Sequence, residues 1–328
     1  SVNLRREVTD GNRQEERIYL LANIAEMYFI EGKTQSQIAD LVGMTRSNIS
    51  RLLKEARESG VVKIKINRPI KSNPELAQQL VERFNLINAV IIDIERSENL
   101  LQKIGYAASK ELEKYLKPSG ILGISWGTGI SATVNQLEVS IPIPKMKVVQ
   151  LLGAQGAHVT EYDGHAIVRR LEEKLNADGI YMHAPFLVED EKMAKLLLES
   201  NSLQEPLNCA QHADVALLGV GSIEINHASY FLSLTLTKDE ILSIQKSGAV
   251  GDVCALFFDK NGNYVNHELS KRMIGINQNV LMGITTRIGV AGGMAKVDPI
   301  FGALRGNWIN VLVTDTVTAN EVLKKCQN

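Results

Sequence analysis

Cysteine is scarce. Cys209, Cys254 and Cys326 are the only three among 328 residues, far apart and without a CxxC spacing, and the one CxxH, Cys209 to His212, has no second Cys or His pair to complete a zinc knuckle, which argues against a stapled fold and fits a reducing compartment. No stretch approaches the roughly 20 consecutive apolar residues that a membrane helix requires, and the opening SVNLRREVTDGNRQEERIYL has no apolar core of the secretory kind. The expectation is a cytoplasmic protein with no membrane partner. Neither GxGxxG nor GxxxxGKS/T is present intact, which disfavours a dinucleotide or P-loop nucleotide, and no cofactor is expected. Internal repeats and low-complexity tracts are also missing. What remains is an ordinary globular composition, 22% charged and 45% hydrophobic with a net charge of -1, in a chain long enough for two domains.

The near-neutral total hides an asymmetry. Residues 1–68 hold 12 Lys and Arg against 9 Asp and Glu, and residues 69–328 hold 24 against 28. From Lys33 to Arg68 there are eight basic residues and three acidic ones, a local surplus able to attract phosphates. Glu15 to Ile30 reads as an amphipathic helix with an apolar stripe of Ile18, Leu21, Ala22, Ala25, Tyr28 and Phe29, and the Met27, Tyr28, Phe29 cluster is expected to face a core. Thr34 to Gln37 is a capping box, Gly43 supplies a left-handed turn, and Thr45 caps a third helix through Glu58.

QSQIADLVGMTRSNISRLL matches the offsets of a DNA-reading helix-turn-helix: Ala39 where helices touch, Gly43 at the turn, and Ile38, Val42, Ile49, Leu52 and Leu53 inside. The opposite face of the third helix carries Ser47, Arg51 and Lys54, with Arg46, Asn48 and Ser50 beside them. These groups suit duplex DNA, arginine pairing with guanine and asparagine with adenine. Val62, Ile64 and Ile66 alternate with Lys63, Lys65 and Asn67, a strand expected to act as a wing whose lysines meet backbone phosphates. A helix-turn-helix reads few base pairs, so paired heads and hence a homo-oligomer are expected.

Two prolines and a change of charge sign mark residues 69–74 as a linker, with a DNA-binding domain at 1–68 and a larger domain at 75–328. In the larger part β-rich runs at 88–94, 121–125 and 148–153 alternate with helical runs at 100–116, 130–137 and 166–175. Further strands are expected at 214–220, 253–258, 280–284 and 309–314. The pattern predicts an α/β fold, a doubly wound, Rossmann-like parallel sheet covered by helices. Four glycine-rich segments fall at strand ends, around Gly127-Thr128-Gly129, Gly153, Gly221 and Gly289 to Lys296, where ligands of such sheets bind. A strand running through Gly127 into a helix would aim free N–H groups at an anion. Asp252 and Lys296 each adjoin glycine turns, where a lone charge needs a partner or a polar ligand such as a sugar or polyol.

At these residues the chain resembles the SorC-type sugar-binding transcriptional regulators of bacteria. The likeness spans EGKTQSQIADLVGMTRSNISRLLKEARESGVVKIKI, GISWGTG, ADVALLGVGS, GAVGDVCALFFDKNG and VAGGMAKVDPIFGALRGNWINVLVTD. The resemblance implies a winged helix-turn-helix, an effector domain like sugar-phosphate isomerases and coenzyme A transferases, and a tetramer. Its operator affinity would change with a sugar or sugar-phosphate effector, as in a repressor of a carbohydrate-utilisation operon. It also implies that Gly127, Thr128 and Gly129 hold a phosphate, that Asp252 and Lys296 contact the hydroxyl or carbonyl end, and that Gly153 and Gly221 shape the floor. GTG stands where many relatives have GTT, removing one hydroxyl donor, and Leu152 offers no amine for an imine. The alternative is a sugar-phosphate isomerase or aldolase with a DNA-binding appendage, using Asp252, Lys296 and His165. Against it, no paired carboxylates or Ser/His/Asp arrangement emerges at persuasive local spacing, and the expectation is a regulator without catalysis.

Overall fold

In the N-terminal part of the computed structural model, three helices close around a small core. The structure describes residues 2–64, 71–94, 99–139, 142–155, 160–224, 226 and 235–326, with side chains from residue 14 onward. The backbone divides into two compact units, Ser1–Pro69 and Ile70–Asn328. In the first, helix α1 spans Val2–Phe29, starting ahead of the apolar stripe that marks it in the sequence. Helix α2 spans Gln35–Val42, with Thr34 and Gln37 closing the capping box and Gly43 left-handed at φ 66°. Helix α3 spans Arg46–Glu58, and Thr45 accepts from the Asn48 N–H. Leu21, Ile24 and Ala25 of α1 pack against Ile38 and Ala39 of α2 and Ile49, Leu52, Leu53 and Ala56 of α3. Met27 and Tyr28 join this core, whereas Ile18 and Phe29 are 49% and 43% exposed, because the stripe wraps wider than the two short helices can cover. Val61–Ile64 form no strand ladder; Val62 N–H instead donates to Ala56 O at 2.8 Å, folding the chain back on α3. The rest of the expected wing, Lys65 included, lies outside the described residues.

In the second unit, α4 (Pro74–Phe84) leads into β1 (Asn88–Ile92), α5 (Leu100–Glu113), β2 (Ile121–Ile124) and α6 (Thr128–Gln136). Next come β3 (Lys147–Gln150), α7 (Gly164–Leu175), β4 (Asp178–Ile180), α8 (Glu191–Leu198), α9 (Asn201–Gln211) and β5 (Val215–Gly219). Lys71–Pro74, placed in the linker by sequence, is built into this unit, with Ser72 bridged to Ile92 and Asn73 capping α4. β6 (Gly221–Ser222), β7 (Ala249–Val253) and β8 (Leu256–Asp259) form a separate antiparallel sheet. β9 (Thr286–Val290) and β10 (Val311–Asp315) complete the main sheet, whose order is β1-β10-β9-β5-β2-β3-β4, parallel throughout.

From β2 the chain winds one way through β3 to β4, and from β5 it winds the other way through β9 to β10. β2 and β5 are neighbours, so the crevice beyond their carboxyl ends is a topological switch point, where open parallel sheets bind ligands.

Two strand expectations are corrected. Residues 253–258 are not one strand: Cys254 and Ala255 form the two-residue turn between β7 and β8. Residues 280–283 belong to the helix Gln278–Gly283, started by Asn277 accepting from Val280 N–H at 3.0 Å, and Ile284 is its extended C-cap. A five-residue apolar run does not reveal its periodicity. The strand follows at Thr286, hidden in the sequence by Arg287, a buried cation satisfied by the carbonyls of Met282, Ile284, Asn307 and Trp308.

Candidate functional site

A cavity of about 210 Å³ opens at the switch point. β2 delivers Ser125 to Gly127, α6 begins at Thr128, β5 contributes Gly219, β9 contributes Val290 to Gly292, and the small sheet contributes Gly221, Asp252 and Cys254. Gly127 caps α6 with φ 125° and ψ 179°, a backbone state open to glycine. No side chain among the described residues caps the helix, so its first-turn N–H groups and the positive end of its dipole are available to a ligand. The loop is held from behind: Gly127 N–H donates to Tyr162 O at 3.0 Å, and Arg170 Nη2 donates to Ser131 Oγ at 3.1 Å.

Asp252 is 2% exposed. Its Oδ2 accepts from Ala255 N–H at 3.1 Å, and Oδ1 has no hydrogen-bond partner among the described residues. Burial pushes its carboxyl up to about 6, against the opposing pull of the Ala255 N–H and the Lys296 amine. Lys296 donates from Nζ to Val220 O at 3.0 Å. Burial lowers the affinity of this amine for its proton, and Asp252 partly offsets that. The two charges feel one another without forming an ion pair among the described residues, which leaves both available to a polar ligand. Gly221 makes this possible, since a Cβ there would lie 1.9 Å from Asp252 Oδ1.

Gly127, Thr128, Gly129, Gly221, Asp252 and Lys296 thus line one cavity. Gly153 does not. Its carbonyl accepts from Trp126 Nε1 at 3.1 Å, and a Cβ on it would stand 2.7 Å from Ala184 O, so it packs behind the wall instead of forming the floor. His165 also lies off the cavity, its ring 5.5 Å from Tyr181 and 5.4 Å from His183. Sequence reasoning missed Trp126, Leu101, Leu152 and Cys254 as lining residues. Trp126 sits inside the GISWGTG segment and Cys254 two residues after Asp252, but apolar residues in strand ends look like ordinary core. A Cβ on Gly129 would be 3.4 Å from Val290 O, an ordinary contact, so the missing hydroxyl there is a difference of chemistry and not of space.

In the first unit, Arg46, Ser47, Asn48, Ser50, Arg51, Lys54 and Lys63 are all exposed. Arg17 of α1 grips Glu55 with both Nε and Nη2, at 2.8 and 2.6 Å, and this bond holds the Glu55 carboxyl below its usual range. Glu55, one turn beyond Arg51, is therefore engaged elsewhere. Lys54 lies 3.6 Å from Glu58, an exposed pair that water and salt weaken. The outward face of α3 consequently presents a cationic, hydrogen-bonding surface of the kind that enters a major groove.

The comparisons agree with both halves. Residues 68–324 match the Sugar-bind family, a sugar-binding domain, and residues 22–59 match sigma-70 region 4. The transcriptional regulator LsrR of Escherichia coli K12 is 32% identical over 316 residues, 96% of each chain. The sorbitol operon regulator of Klebsiella pneumoniae is 31% identical over 315 residues, 94% of this chain and 98% of that protein. The crystal structure of the full-length Klebsiella regulator SorC superposes with a TM-score of 0.72 at 30% identity, covering 93% of this chain and 98% of that one. A transcriptional regulator from Streptococcus pneumoniae gives 0.72 at 26% identity, over 77% and 97%. These relatives are transcriptional regulators and not enzymes, and no helix among the described residues is long and apolar enough to cross a membrane. With its helix-turn-helix and its sugar-binding domain, the chain belongs to the SorC-type family of sugar-binding transcriptional regulators.

Proposed function

We propose that the chain represses a carbohydrate-utilisation operon and releases its operator when a sugar phosphate or related polyol enters the cavity at Thr128. The observation that carries this reading is the pairing of a helix start that no described side chain caps with Asp252 Oδ1, a buried acceptor without a hydrogen-bond partner among the described residues. The first-turn N–H groups of α6 suit an anionic head. Asp252 and Lys296 suit hydroxyl or carbonyl groups at the other end, bound without a covalent bond. Gly221 admits the Asp252 carboxylate, and Gly153 supports the wall. In the DNA-binding part, Arg46, Ser47, Asn48, Ser50, Arg51 and Lys54 would read or position the duplex, with Lys63 and Lys65 on phosphates. Division of labour would follow residues 1–68 for DNA and the larger unit for effector and oligomer contacts, the 69–74 linker read from the sequence giving up Lys71–Pro74 to that unit. A cytoplasmic tetramer would pair the reading heads, and the effector would act through its differential affinity for two arrangements of them.

The test uses duplexes selected from a random pool by the purified protein, read by fluorescence anisotropy, together with a thermal-shift panel of sugars, sugar alcohols and their phosphates. A stabilising compound should release the duplex from the wild type. Lys296→Met should bind the same duplex and ignore the compound. A Lys296→Met protein that responds like the wild type refutes the site.

A further inference from the structure

A second cavity, of about 430 Å³, adjoins the first. Cys254 lines both, and Gly275 in the second is bridged to Leu152 in the first. The β7–β8 turn and the Leu152–Gly275 bridge therefore belong to the walls of both. That turn is unusual in composition. Cys254 and Ala255 both adopt left-handed backbone, at φ 53° and 61°, with no glycine or asparagine to ease it. Strain of this kind gathers where function fixes a backbone, and here Asp252 Oδ2 holds the turn by accepting from Ala255 N–H.

The chemistry of the second cavity differs from that of the first. Its polar lining is Ser270, Lys271, Asn277, Gln278 and Asn279, with the Tyr264 ring beside them. Lys271 is paired with Glu268 at 3.1 Å and Glu191 at 3.8 Å, so it offers no spare charge to an anion. Amides donate and accept, as hydroxyl groups require. Ser270 Oγ is buried and has no hydrogen-bond partner among the described residues. Each cavity thus keeps one buried polar atom that a ligand hydroxyl would satisfy.

We propose that the second cavity is the distal compartment of the effector site. One extended ligand sets its anionic head at α6, passes Cys254, and places uncharged hydroxyls on Ser270 and the amides of Asn277 to Asn279. Tail length, and not only the head, then selects the effector. The proposal rests on the reading that the Thr128 cavity holds the head.

Titration calorimetry on the full chain tests it with three probes that share a phosphate and differ in tail: glycerol 3-phosphate, xylitol 5-phosphate and sorbitol 6-phosphate. Affinity should rise along the series with one ligand per chain. The double variant Ser270→Ala, Asn279→Ala should weaken sorbitol 6-phosphate by about tenfold, as expected for two neutral hydrogen bonds, and leave glycerol 3-phosphate within about twofold. Three outcomes overturn the proposal: no effect of the double variant on any probe, an equal loss for all three, or two molecules of sorbitol 6-phosphate per chain. If Thr128→Val still weakens every probe in those cases, the reading of the first cavity survives. If Thr128→Val changes none of them, or if no probe binds, both fall together.

Discussion

Asp252→Asn isolates the electrostatic cost built into the cavity. In the folded protein burial raises this carboxyl from an ordinary value of 3.8 to about 6, so the folded state holds its proton where the unfolded chain has released it. The associated stability is fully present below the ordinary value and is lost as pH rises through about 6. A rise from 3.8 to about 6 corresponds to about 3 kcal/mol. Asparagine matches the shape, keeps an oxygen for the Ala255 N–H, and carries no charge. The variant should therefore be more stable than the wild type above pH 7, by at most about 3 kcal/mol, or several degrees in Tm for a unit of this size. The loss of an anion near the Lys296 amine reduces that figure. The gap should close toward pH 4. Thermal unfolding followed by circular dichroism from pH 4.5 to 8 measures it, with the effector-dependent release of duplex scored alongside and expected to be lost. A variant less stable than the wild type at pH 8, with a deficit independent of pH, would refute the account of Asp252 as a charge kept for a ligand.

Two further predictions concern one residue in each unit. Gly221→Ala drives a methyl into Asp252 Oδ1, so the carboxylate must swing away; effector-dependent release should disappear while duplex affinity stays within about twofold, since the first unit is untouched. Arg51→Ala removes an exposed guanidinium from α3 without burying or exposing core, so Tm should hold. Operator affinity measured by anisotropy should fall by about 1–3 kcal/mol if the side chain pairs with guanine, and the salt slope should drop by about one if it meets a phosphate. Unchanged affinity and slope would move the reading face elsewhere on the helix.

The chain alone determined the elements whose information is local. Thr34, Gln37, Gly43 and Thr45 punctuate α2 and α3 through side-chain caps and one left-handed residue, all within a few positions, and α3 has a clear apolar stripe of Ile49, Leu52, Leu53 and Ala56. The alternating strands and helices of the larger unit, and the glycines that close β2 onto α6, were legible for the same reason. Tertiary structure decided what depends on neighbours distant in sequence. Whether residues 280–284 coil or extend was settled by packing of Leu281 and by Arg287 finding four carbonyls, not by propensity. That Gly221 and Asp252 meet, that Gly153 stands behind Trp126, and that Cys254 lines two cavities all follow from the register of β6 with β7 and from the order of parallel strands. A side chain's type is written in one position, but its surroundings come from strands that only the folded sheet brings together.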